Sequence, residues 1–208
     1  MLREALIMGR LKPDDRLRIR ELAAQLGTSV TPVRDAILQL AKEQALVLKT
    51  PRDIRVPHLT LEQFIEIRTL RVSLEGSAAL HAALLMTPDK LGELDSNIAQ
   101  NLQAIADNDL SAALRLNSGF HLMLAQMADM PLLSQFIGSL WMRTGPLIAQ
   151  AYGHFSRQMA IEHHQDVVAA LRQQDGAAAQ HAIQQDILDG SETMLPFISR
   201  AEEELSDA

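Results

Sequence analysis

Ile19, Leu22, Ala23 and Leu26 fall at i, i+3, i+4 and i+7, and the run stops at Gly27. That spacing places one apolar stripe on a short helix, and a glycine just beyond the last apolar residue ends it. Thr28 or Ser29 can then cap a second helix. Pro32 sits in that helix's first turn, where a missing N–H costs no intrahelical bond. Val33, Ala36, Ile37, Leu40 and Ala41 continue the stripe to about Gln44. Two amphipathic helices joined by so tight a turn have the geometry of a helix-turn-helix. Ahead of them, Leu2 to Met8 reads as the end of a helix stopped by Gly9. Behind them, Leu46-Val47-Leu48-Lys49, Thr50-Pro51-Arg52-Asp53 and Ile54-Arg55-Val56 read as strand, turn and strand, a β-hairpin decorated by Lys49, Arg52 and Arg55. A head domain over residues 1–57 and a linker over 58–60 are expected.

From Leu61 to the end, 61–208, the chain reads as helices only, near 61–86, 88–107, 109–128, 131–151, 156–174 and 176–204. Pro, Gly and Asp mark the breaks. Gly145-Pro146 is expected to kink the fourth segment, and Pro196 to kink or end the sixth. Segments of this length with short connections pack as an all-α antiparallel bundle. The fold class is therefore mainly α, with one small hairpin. Aromatics are only 3% of a chain that is 47% hydrophobic, so the core must be built from Leu, Ile, Val, Ala and Met. Cysteine is absent, which excludes disulfides and thiolate metal sites. Met1-Leu2-Arg3-Glu4 does not open a signal peptide, and no apolar run approaches the ~20 residues of a membrane helix. A soluble, cytoplasmic protein without membrane contact is expected.

The net charge of −7 hides a split. Residues 1–58 hold 11 Lys+Arg against 7 Asp+Glu, and the remainder holds 8 against 19. A basic head on an acidic body points the head at a polyanion and keeps the body away from it.

Gly9-Arg10-Leu11-Lys12-Pro13, Arg16-Leu17, Glu21-Leu22-Ala23 and Leu26-Gly27-Thr28-Ser29, followed by Pro32-Val33-Arg34-Asp35-Ala36, resemble the winged helix-turn-helix of GntR-type regulators. The remainder resembles the FCD ligand-sensing domain of the FadR-like branch, on Arg71-x-x-Leu74-Glu75, Asn117-x-x-x-His121, and His164 seven residues before Leu171. Six helices rather than seven look like the VanR-like subgroup. The chain departs from the family at Val30, where Arg is usual, at Asp15, where Gly is usual, and at a wing tip without Gly. Its first helix also begins several residues late compared with the family, which leaves open whether Met1 is the natural start.

The resemblance implies a transcription factor that reads double-stranded DNA as a homodimer on a near-palindromic operator. Ser29, Val30, Thr31 and Arg34 would face base edges from the recognition helix. Arg34 is shaped to hold a guanine edge, whereas Val30 offers only an apolar contact. Arg20 matches a DNA-contacting position of the family, and Arg52 would reach the backbone or minor groove from the wing. An ordinary surface ion pair is the competing role for Arg34.

The resemblance also implies a divalent metal in the bundle. Asn117 and His121, four apart, share a helix face whose neighbours Leu114, Phe120, Leu124 and Ala125 turn inward. They match the first two ligand positions, His164 the third, and Asp186 the fourth, where a His is usual. Two imidazoles, a carboxylate and an amide oxygen suit Zn²⁺ first, with Ni²⁺ or Mn²⁺ as alternatives. Open positions would take water or a small-molecule effector, expected to be an organic acid. Arg71 and Arg143 are the candidates to hold its carboxylate; a buried salt bridge with Glu75 is the competing role for Arg71. An effector-independent DNA-binding protein with a metal-free bundle is one rival function. A metal-dependent hydrolase is another, disfavoured because no evident general base accompanies the His and Asp residues and because it leaves the helix-turn-helix unexplained. No enzymatic role is expected.

Overall fold

A computed structural model describes residues 1–50, 52–154 and 161–206. The head contains α1 (Leu2–Ile7), β1 (Arg16–Leu17), α2 (Ile19–Gln25), α3 (Val30–Lys42), β2 (Val47–Thr50) and β3 (Asp53–Arg55). Gly27 takes φ +61°, the left-handed turn that separates α2 from α3. Leu6, Leu17, Ile37, Leu40, Leu46 and Ile54 are buried in the head's core. The wing is larger than the expected hairpin. β3 lies between β1 and β2 in a three-stranded antiparallel sheet, with Arg16 opposite Arg55 and Leu17 opposite Ile54. Pro51, at the expected wing tip, lies outside the described residues.

The bundle follows as α4 (Leu61–Leu84), α5 (Pro88–Ala106), α6 (Leu110–Met127), α7 (Pro131–His154), α8 (Glu162–Arg172), α9 (Gly176–Glu192) and α10 (Leu195–Ser206). The expectation of six bundle helices, which carried the VanR-like assignment, is corrected to seven among the described residues. Pro196 cannot donate a backbone hydrogen bond to the preceding turn, and the sixth segment divides at Thr193-Met194. Gly145-Pro146 lies inside α7 and does not divide it. Residues 156–160, the expected start of the fifth segment, lie outside the described residues. The expected linker is fixed at its second and third residues: Leu59 is buried in the bundle core and Thr60 caps α4. No described helix is long and apolar enough to cross a membrane.

α4 is the central helix and packs most extensively against α9. Phe64, Ile67, Ala78, Ala79, Ala82 and Ala83 are buried along it, and the alanines let neighbouring helices approach closely. Arg71 and Glu75 are buried on this same helix, so its inner face carries two charges among apolar residues.

Capping separates the two parts of the molecule. The Thr60 hydroxyl accepts from the Gln63 backbone N–H while the Gln63 side chain accepts from the Thr60 N–H, a reciprocal capping box. Ser29 occupies the cap position of α3 but makes no capping bond with its side chain. Thr60→Ala should therefore cost about 1 kcal/mol of stability, whereas Ser29→Ala should stay within ~0.5 kcal/mol. Urea unfolding of both variants checks this, and an equal loss in the two would contradict it.

Candidate DNA interface and metal centre

The head brings its arginines to one cleft of about 560 Å³, lined by Arg16, Arg18, Arg20, Arg34 and Arg52 with Val30 and Ile54. Arg20, Arg34 and Arg52 are exposed, and none of them forms an ion pair among the described residues. The competing role for Arg34, a surface salt bridge, is absent there. Ser29 and Thr31 are exposed at the same end of α3, whereas Val30 is partly buried and packs against the head core. Sequence reasoning missed Arg16 and Arg18. Arg16 donates to the Arg52 carbonyl at 3.0 Å and meets Asp53 at 3.5 Å, so it fastens the wing to β1. Arg18 pairs with Glu21 at 2.8 Å.

In the bundle, α6 supplies Asn117 and His121, α8 supplies His164 and α9 supplies Asp186. His121 Nε2 lies 3.2 Å from Asp186 Oδ2 and 3.4 Å from His164 Nε2, which lies 3.4 Å from Asp186 Oδ1. One ligand atom from each of these three residues falls within 4.8 Å of the others, which is the clustering a single cation requires. Asn117, His121 and Asp186 line a cavity of about 40 Å³ together with Arg71, Trp141 and Tyr152. His164 is fully buried, its ring stacked on Phe120 at 3.9 Å, and its Nδ1 has no hydrogen-bond partner.

The residue that orders this site is Glu75, which was read from sequence only as a partner for Arg71. Its Oε1 accepts from Arg71 Nε at 2.6 Å and its Oε2 meets His121 Nδ1 at 2.6 Å. A carboxylate on one ring nitrogen aims the other at a metal position and raises its basicity. Burial pushes the Glu75 carboxyl up, but the charges of Arg71 and His121 and their hydrogen bonds overcome it and hold the group at about 2. Burial likewise works against charge on His121, yet Glu75 and Asp186 lift it to about 9. Burial dominates at His164 and lowers it. Asp186 is opposed by burial and held far below the usual carboxylate range by its bonds to the two imidazoles. The donor set fits a divalent cation: two imidazole nitrogens, one carboxylate and an adjacent amide.

Arg71 lines the cavity and makes the buried salt bridge with Glu75, so the competing role read from the sequence is present. The expectation for Arg143 is corrected: it does not line the cavity. At 100° per residue it stands about 200° around α7 from Trp141, which does. Trp141 and Tyr152 were not singled out from the sequence. The Arg71 guanidinium lies 4.0 Å above the Trp141 ring, and burial, with Asp186 nearby, pushes the Tyr152 phenol up to about 12, so it remains a neutral donor. Asn101, fully buried on α5, was also missed. Its amide donates to the Ala113 carbonyl at 3.3 Å and accepts from the Asn117 backbone N–H at 3.2 Å, gripping the turn of α6 that presents Asn117. Outside the cluster, His163 pairs with Asp189 at 2.9 Å, and His81 bonds the Ser77 carbonyl.

Comparison with known proteins agrees with this arrangement. Residues 1–56 match the family model for bacterial regulatory proteins of the gntR family, and residues 66–189 match the FCD domain. The chain is 33% identical over 185 residues to the HTH-type transcriptional regulator McbR of Escherichia coli (strain K12), covering 88% of this chain and 84% of that protein. It is 26% identical over 195 residues to the HTH-type transcriptional repressor RspR of the same organism, covering 93% and 86%. The solved structure of E. coli McbR/YncC superposes with a TM-score of 0.86 at 31% identity, covering 93% of this chain and 92% of that one. A GntR-type regulator from Rhodococcus sp. RHA1, at 20% identity, shares the fold with a TM-score of 0.76 over 94% of each chain. These relatives are named as transcriptional regulators rather than enzymes, and the chain belongs to the GntR family of bacterial transcriptional regulators, with an FCD domain behind its DNA-binding head.

Proposed function

We propose that this regulator binds a near-palindromic operator as a homodimer, and that a small carboxylate held beside a divalent metal in the bundle controls its operator affinity. The observation that carries the reading is the convergence of His121, His164 and Asp186 at the wall of a cavity that His121, Asp186 and Arg71 line. His121, His164, Asp186 and the Asn117 amide would hold the ion, with Zn²⁺ favoured by the two imidazoles and Ni²⁺ or Mn²⁺ accepted by the oxygens. When bound, the metal supplies a positive centre with open positions for a carboxylate oxygen. Arg71 adds a fixed cation and Tyr152 a neutral donor on the same wall. The cavity has room for roughly three waters, which favours a short acid over an extended one. Arg20, Arg34 and Arg52 support the DNA half of the reading, Arg34 toward a base edge and Arg52 toward phosphate. Isothermal titration of metal-loaded protein against a panel of short organic acids tests the effector half; no binding by any acid, with metal present, rejects it.

Metal content by elemental analysis should be near stoichiometric in the wild type and lost in His121→Ala. Asp186→Ala should lose more than Asn117→Ala, because a carboxylate holds a divalent ion more strongly than a neutral amide. Equal metal in all four proteins, or none in the reloaded wild type, would leave these side chains as a polar core.

On the selected operator, Arg34→Ala should cost ~1–3 kcal/mol and relax preference at one base pair. Arg52→Ala should weaken all sequences similarly and flatten the salt dependence. An Arg34→Ala variant with unchanged affinity and unchanged base preference rejects the recognition-helix assignment.

Sedimentation equilibrium should give a dimer, with two heads per operator, because one head of this size makes too few contacts for specific binding. A monomer bound at one copy per site would refute the dimer.

A further inference from the structure

Helix α7 touches the cavity with one stripe and the head with the next. Trp141, Ile148 and Tyr152, at i, i+7 and i+11, all line the cavity. The Trp141 ring carries Arg71 and lies 5.0 Å from the His121 ring. Met142, Gly145 and Ala149 form the neighbouring stripe. Met142 is fully buried and belongs to the head's core, although it stands on a bundle helix. Gly145 has no room for a side chain, since a Cβ there would overlap the carbonyls of Leu6 and Ile7. The last turn of α1 therefore rests directly on the backbone of α7. Gly9 closes the contact from the other side, where a Cβ would overlap that of Ala149 and come within 3.0 Å of the Gly145 carbonyl. Pro146 sits at this crossing. It has no N–H to give the Met142 carbonyl, and the helix is easiest to bend there.

We propose that α7 is the lever by which the cavity sets the pose of the DNA-binding head, with Gly145 as its seat and Pro146 as its point of bending. The inference deepens the proposed function and rests on it for the ligand. A cation drawn to His121 and Asp186 moves the groups packed on Trp141. Because Met142 is the next residue, displacement of that turn shifts the head's own core. A side chain at position 145 would lift α1 from α7 and draw Met142 away from the rest of the head's core, which uncouples the two parts.

The test uses the full chain, Zn²⁺ as the probe, and a duplex that the chain itself selects from a random pool. In the wild type, saturating Zn²⁺ should change duplex affinity at least threefold, and duplex should change Zn²⁺ affinity by the same factor. In Gly145→Ala both partners should still bind, with the ratio within twofold of unity. Pro146→Ala, which keeps the seat and restores the N–H, should reduce the ratio without loosening α1, and decides the matter if Gly145→Ala does not fold. A second readout needs no metal. Trp141 is the chain's one tryptophan, so saturating duplex should alter its emission in the wild type and not in Gly145→Ala. Wild-type protein that takes up no Zn²⁺ defeats the metal reading, and the emission arm then decides the lever alone. Zn²⁺ bound with no change in duplex affinity, an emission unmoved by duplex, or variants that keep the wild-type ratio would each overturn the proposal.

Discussion

The bundle is organised by one buried chain of charges, Arg71 to Glu75 to His121. Charges in an apolar interior are expensive to desolvate and are tolerated only when each is paired and bonded. Here both oxygens of Glu75 are taken, one by each cation, at 2.6 Å. The chain starts on α4, the central helix, and three of its neighbours answer it. α7 lays Trp141 against the guanidinium, α6 brings His121, and α9 returns Asp186 to the far side of that ring. Removing any member would strand another in low dielectric. The relative placement of four helices is thus held by groups that also define the cavity, which makes the site a stability element as well as a binding element.

The head uses charge in the opposite way. Arg20, Arg34 and Arg52 stay hydrated and unpaired by ions, available to a polyanion. Arg55 and Arg16 are spent on the fold instead. Arg55 joins Asp53 and Asp14 at 2.9 Å each, and Arg16 reaches the Arg52 carbonyl. Exposed pairs of this kind contribute little to stability. Several of them around a short sheet nevertheless fix where Arg52 stands.

Much of this was legible in the sequence, for reasons that differ by element. α2, the Gly27 turn and α3 announce themselves because local periodicity and one left-handed residue suffice to define them. β1 does not, because Arg16-Leu17 has no pattern of its own and becomes a strand only by pairing with β3. The ligand spacing from Asn117 to His121 was visible as a helix face, and the matches at His164 and Asp186 carried the rest of the cluster. Glu75 was harder, since a glutamate four residues after an arginine looks like any surface pair; burial by α6 and α7 is what turns it into the orienting group. Arg143 stands two residues from Trp141, and that rotation turns it to the other side of α7, away from the cavity. Trp141 and Tyr152 leave no local trace at all, because their role is made wholly by helices distant in sequence.

The grip of Asn101 on α6 limits how the bundle can deform. Its amide completes a donor and an acceptor belonging to one particular turn, between Ala113 and Asn117. Asn97, one turn earlier on α5, adds a bond to the Leu116 carbonyl at 3.2 Å. Sliding α5 along α6 by a turn would break both grips at once in a buried interface. The two helices are therefore keyed together like teeth in a rack. Shear between them is closed as a route of conformational change, and α5 and α6 can move only together, as one body.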